Sequence, residues 1–217
     1  MRFPTPASLV CLLLISSSLV SVSARVGETQ EEFERRLLQP AVGKFIPKEK
    51  NPDPIKEEEL LRLQPFNAVR SHFPTETRER KYWKSAVPNV LSNENGWRVH
   101  VFFQSNQSVL EAYERVGDSL NQFEIGNILR ANQGASEWVK IEPDSLEARA
   151  SVIGCTYQLA NGTLRARVSG NWIMIYSAAL DAHVKEQLRL IEENKLRNMD
   201  ERTRNQQLTA PGSTSGF

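Results

Sequence analysis

Residues 150–176 read ASVIGCTYQLANGTLRARVSGNWIMIY, and their pattern decides the fold class. Ala150 to Leu159 reads as a strand. Asn161-Gly162 follows, the dipeptide favoured by a type I′ hairpin turn, and Thr163 to Val168 is the returning strand. Gly170-Asn171 turns the chain into Trp172–Tyr176, completing a three-stranded antiparallel meander. Leu164, Ala166 and Val168 alternate with Arg165 and Arg167, so one face of this strand is apolar and the other charged.

The rest of the domain extends from this meander. Upstream, Trp97, Val99, Val101 and Phe103 alternate with Arg98, His100 and Phe102, a second period-2 strand. Tyr82-Trp83 supplies its partner across the turn chemistry of Asn93-Glu94-Asn95-Gly96. Arg98 and His100 are read as the solvated face of that strand. Three stretches have helical spacing. In the first, Thr29 and Glu32 form a capping box ahead of Phe33, Leu37 and Leu38, with Pro40 as the stop. In the second, Ser119 to Ala131, Ser119 and Gln122 give the same signal, and Leu120, Phe123, Ile128 and Leu129 form the stripe. In the third, Ala178 to Met199, Leu180, Val184, Leu188 and Ile191 share one face, and Glu193 and Arg197 form an i,i+4 pair on the other. The predicted fold is α+β: a small antiparallel sheet, made of a hairpin and a three-stranded meander, with two to three helices packed on one face. Short echoes between the first two helices, Phe33-Glu34 with Phe123-Glu124, are read as chance.

Residues 1–24 have the build of a secretory signal peptide. Arg2 is the positive start, Leu9–Val22 the apolar run, and Val22-Ser23-Ala24 the small-residue site for a cut before Arg25. The run is too short for a membrane span. Residues 25–39 form the N-terminal helix, and 40–77, with prolines at 40, 47, 52, 54, 65 and 74, a proline-rich insertion or linker. The α+β domain occupies 78–200, and 201–217 is a disordered polar tail.

Composition narrows the chemistry. The chain has 27 Lys+Arg and 26 Asp+Glu. Loss of Arg2 with the leader leaves the processed chain neutral, which argues against nucleic acid as a partner. Cys155 is then the single thiol, so no internal disulfide can form. His72, His100 and His183 have no paired spacing, no Cys-x-x-Cys occurs, and neither a metal nor a cofactor is expected. No Gly-x-Ser-x-Gly or other nucleophile signature is present. Cys155 shares its strand with Ile153, Tyr157 and Leu159, the company of an inert thiol. The sequons Asn106-Gln107-Ser108 and Asn161-Gly162-Thr163 are discounted, the second because its turn explains it.

Tyr82-x-Lys84, Trp97-x-Val99-x-Val101-x-Phe103, Ser108-x-x-Glu111-x-Tyr113 and Leu120-x-x-x-Glu124-Ile125, leading to Ala131-Asn132-x-Gly134-x-x-x-Trp138, resemble uncharacterised small exported bacterial proteins, notably of Verrucomicrobiota. Gly27-Glu28-Thr29-x-x-Glu32 resembles the helix that opens them, and the stretch from Pro40 to Pro74 departs from their pattern. The resemblance covers about half of the processed chain and implies a bacterial exported domain without assigning an activity. There is also a fold-level analogy to small envelope domains of the outer-membrane-assembly type.

Two functional readings remain open. One is a non-catalytic periplasmic or extracellular interaction module that meets another envelope protein. Its contact would be a face carrying Arg165, Arg167 and Tyr157, or the C-terminal helix. The other is a secreted enzyme or small-ligand binder whose site forms only on folding, around His183, Cys155 or Glu124.

Overall fold

The computed structural model describes residues 26–38, 43–45, 63–85 and 96–209. Residues 1–25, which include the expected leader, much of the 40–77 segment, residues 86–95 with the predicted turn, and the last eight residues lie outside the described residues. The elements run α1 (Gln30–Leu38), β1 (Gly43–Phe45), α2 (Asn67–Arg70), β2 (Arg78–Ser85), β3 (Gly96–Gln104) and β4 (Gln107–Val116). They continue with α3 (Gln122–Ala131), β5 (Trp138–Lys140), α4 (Leu146–Ala150), β6 (Tyr157–Leu159), β7 (Leu164–Ser169), β8 (Trp172–Ser177) and α5 (Ala178–Thr209).

All strands join one antiparallel sheet in the order β1-β2-β3-β4-β8-β7-β6-β5, and the fold is α+β. The hairpin and the meander are therefore parts of a single eight-stranded sheet, fused where β4 pairs with β8. Among the described elements the order α-β-α-β-β-β occurs twice, and the sheet order is mirrored about the β4–β8 seam. In α1 a capping box joins Thr29 and Glu32, whose backbone N–H groups each donate to the other's side chain. In α3 the box is Asn121–Glu124, two residues later than the Ser119–Gln122 spacing predicts. Counted from these caps, Phe33 and Leu37 occupy the same helix positions as Ile125 and Leu129, and all four are buried. The sequence echo was thus out of register with the structural repeat. Phe123, expected in the stripe, is 76% exposed, and Ile125 replaces it in the core.

The expectation of helices on one face is corrected. α1 and α3 cover one face, over Val99, Val101, Tyr113, Ile173 and Ile175. The other face, with Phe102, Leu110, Ala112, Met174 and Tyr176, is covered by Phe66, Val69, Ile153 and the start of α5. A sheet buried on both faces needs apolar side chains at consecutive positions, and β8 supplies them: Trp172 to Tyr176 are all buried. For the same reason His100 is 4% exposed rather than solvated.

Four further readings shift. Ala150–Leu159 is not one strand: residue 150 ends α4, a loop follows, and pairing starts at Tyr157. The Asn161-Gly162 turn is not type I′, because only Gly162 is left-handed (φ +73°), with its N–H on Leu159 O at 2.8 Å. The two-residue left-handed turn is Ser105-Asn106, φ 49° and 64°, between β3 and β4. Third, residues 43–45 and 66–70, read as insertion, contribute a sheet edge and the buried Phe66 and Val69. Finally, α5 continues to Thr209 instead of stopping at Met199, and so takes in the first part of the predicted tail.

Candidate functional site

Alternation along β7 places Leu164 and Ala166 under α1 and α3, and turns Arg165 and Arg167 to the α5 side. Tyr157 pairs with Ala166 in register and packs on the α1/α3 face. The structure therefore brings the two arginines together and puts the tyrosine on the other side of the sheet.

The arginines have different partners. Arg165 Nη1 bonds Asp181 Oδ2, and its Nε donates to Gln158 Oε1 at 3.1 Å. Asp181 is 1% exposed, and its Oδ1 accepts the backbone N–H groups of Val152 and Ile153 at 3.1 and 3.0 Å. A buried carboxylate with one guanidinium and two amide donors is fully satisfied. Arg167 Nη1 donates to Ile153 O at 2.8 Å, and no carboxylate among the described residues pairs with it. Its chain lies on Gly154, whose φ of +98° suits glycine; a Cβ there would fall 2.9 Å from Arg167 Cδ. Tyr176 Oη donates to Gly154 O at 2.6 Å and meets Ser151 Oγ at 3.0 Å. Burial raises the Tyr176 hydroxyl above the ordinary tyrosine range, so it remains protonated.

Cys155, His183 and Glu124 do not converge. Cys155 is half-buried, its Sγ–H donates to Tyr157 O at 3.3 Å, and burial raises its thiol pKa, so thiolate is disfavoured. His183 lies on α5 and is partly exposed. Glu124 caps α3 and pairs with Arg115 at 3.2 Å. Among the described residues, no three His, Cys, Asp or Glu side chains group as a metal site.

Two buried polar clusters lie elsewhere in the fold, the first built on the Ser108-x-x-Glu111-x-Tyr113 motif. Glu111 on β4 is fully buried and accepts from Ser108 Oγ at 3.3 Å and from Tyr113 Oη. Ser108 also receives Gly27 N–H on its Oγ at 2.9 Å, and Val26 N–H donates to the buried Asn132 Oδ1 at 3.2 Å. This cluster clamps the start of the described chain to the sheet. The other is His100, whose Nδ1 meets Glu79 Oε1 at 2.7 Å while Arg70 Nη2 holds Glu79 Oε2 at 2.5 Å. The imidazole packs against the Phe66 and Trp172 rings. Burial depresses the His100 pKa against the pull of Glu79. Burial alone would raise Glu79, but His100 and Arg70 outweigh it and the net shift is downward.

Among the described residues, two of the open surfaces lie beside groups already described. A groove of about 600 Å³ runs beside α2, lined by Gln64, Asn67, Glu114, Arg167, Asn171 and Trp172. The other surface is α5 beyond Leu188, where every residue from Arg189 to Gln206 is exposed. Leu180 to Ile191 and Leu188 to Met199 are both three-turn steps, so Ile191 and Met199 continue the stripe of the buried Leu180 and Val184 and the partly buried Leu188 into solvent. With Lys195 and Arg202 they edge a shallow hollow of about 550 Å³. The polar side is held by Arg189, which bridges Glu186 at 2.6 Å and also Glu193, so Glu193 is engaged backward and not with Arg197.

Comparison of the chain with protein-family models, with curated proteins and with solved structures gives no match. No helix among the described residues is long and apolar enough to cross a membrane.

Proposed function

We propose that this is an exported, non-catalytic protein-interaction module, periplasmic or extracellular, related to the small exported bacterial proteins it resembles, and that the outer part of α5 is its contact arm. One observation carries the proposal. Among the described elements, α5 stands outside the α-β-α-β-β-β order, and beyond Leu188 its apolar side chains are exposed. Ile191, Leu196 and Met199 are each half exposed or more. A helix this exposed gains little from its own domain, whereas an apolar stripe on a helix fits a groove on another protein. Residues 189–206 contain five basic and four acidic side chains, a near-neutral balance suited to a protein surface rather than to an anionic membrane or nucleic acid. Support for export comes from the clamp at Val26 and Gly27: a cut before Arg25 keeps both inside the fold.

The test compares crosslinked complexes formed in the native host by the intact protein and by Ile191→Ser with Met199→Ser. The same crosslinked species should form with the intact protein and be lost from the double variant at equal abundance. Retention of that species, or no species with either, overturns the proposal.

A further inference from the structure

We propose that the groove beside α2 is a second binding site, independent of the α5 arm, and that it takes a short peptide end through its terminal carboxylate, with Arg167 as the anchor. The contrast within β7 points to this. Arg165 is neutralised by Asp181, whereas Arg167, two residues on and on the same face, has a carbonyl as its one hydrogen-bond partner among the described residues. The guanidinium is nevertheless held in place, by Ile153 O and by packing over Gly154, leaving donors available on its other nitrogens. A half-buried cation fixed in place without a counter-ion is pre-organised for an anion, and the planar guanidinium matches a carboxylate.

The remaining lining narrows the ligand. Gln64 adds its side-chain amide to the lining. Asn67 and Asn171 add amides on the rim; Asn171 Nδ2 donates to Arg115 O at 3.0 Å, leaving its Oδ1 free to accept. Side-chain amides with one guanidinium suit the alternating donors and acceptors of a peptide backbone. Glu114 also lines the groove, held by Arg98 at 3.1 Å, and its charge opposes a dianion, so a carboxylate is favoured over a phosphate. Trp172 is 7% exposed and offers no open ring for a sugar to stack on. Leu63 and Pro65 supply apolar contact for a side chain, and the groove's volume lies within the range of small-ligand sites.

The test is an NMR titration of the purified protein with triglycine, triglycinamide and inorganic phosphate, following the Arg167 Nε–H signal and the surrounding amides. Triglycine should shift these signals saturably, triglycinamide should bind about tenfold more weakly or not at all, and phosphate should not compete. Arg167→Met should weaken triglycine about tenfold. If that variant does not fold, Gln64→Leu, which leaves the Arg167 latch intact, should weaken it several-fold. The proposal is overturned by an absence of triglycine binding, by equal binding of the amide, by phosphate binding more tightly, or by a folded variant that binds as the parent does. Ile191→Ser with Met199→Ser should leave this titration unchanged, which separates the site from the arm.

Discussion

In the first half of the chain, the segment between the edge strand and its neighbour closes the sheet with apolar side chains: Phe66 and Val69 are buried at α2, against Phe102 and Trp172. The matching segment of the second half includes α4, which buries no residue. Ile153 follows it, and the loop is tied down by Asp181, Arg167 and Tyr176. Equivalent positions in a repeated architecture are therefore closed by burial in one half and by a hydrogen-bonded latch in the other. The latch depends on α5, because Asp181 sits in its first turn. This explains why α5 is anchored so firmly at its start. It also explains how the remainder can project for roughly 27 Å, since an established helix extends at about 1.5 Å per residue without a new nucleation step.

The comparison can be broken at the latch first. Asp181→Ala should cost about 4 kcal/mol in denaturant unfolding, because it strands Arg165, the buried Ile153 N–H and the part-buried Val152 N–H. A loss under about 1 kcal/mol would mean that packing, not the latch, closes the second half. Leu180→Ala, a cavity at the anchored end of α5, should cost about 3 kcal/mol by the same measurement. A negligible loss would show that the inner turns are not seated.

A pH series probes the first half. His100 has a folded pKa below its ordinary value, so the unfolded chain binds the proton more readily. Its contribution is complete above that ordinary value, about 6.5, and is lost as the pH falls through the depressed folded pKa. Glu79 and Lys81 on β2, Arg70 at α2 and Glu114 on β4 surround it, and Glu79 opposes the effect. Unfolding midpoints should drop from pH 7 to pH 5, and His100→Gln should flatten that slope; equal slopes in both proteins would remove His100 from the account. The smallest effect belongs to the outer arm. Ile191→Ser with Met199→Ser should change stability by no more than about 0.5 kcal/mol, because exposed positions have little packing to lose.

The sequence revealed elements with a local signature and missed those decided by partners far along the chain. The Thr29–Glu32 box, the β2–β3 pairing and the β7–β8 turn are local, and the structure has them. β4 has no legible strand alternation, because Glu111 occupies a core position and the bulge opposite Phe102–Phe103 breaks the pattern. Burial of His100 depends on β3 being covered on both faces, which no single strand announces. For the candidate site, β7 alternation was enough to single out Arg165 and Arg167. That one is neutralised and the other is not could not be read, because Asp181 lies 16 residues away in sequence. The arm was half visible: the stripe through Ile191 was there, but its exposure depends on where the sheet ends.

The most direct measurement places a photo-crosslinking amino acid at single positions along α5 in the native host. Positions 191, 195 and 199 should give one common adduct, while 193, 197 and 204, on the opposite side of the helix, should give none. Adducts of equal yield from both sides, or none from any position, would contradict a contact arm with a defined binding face.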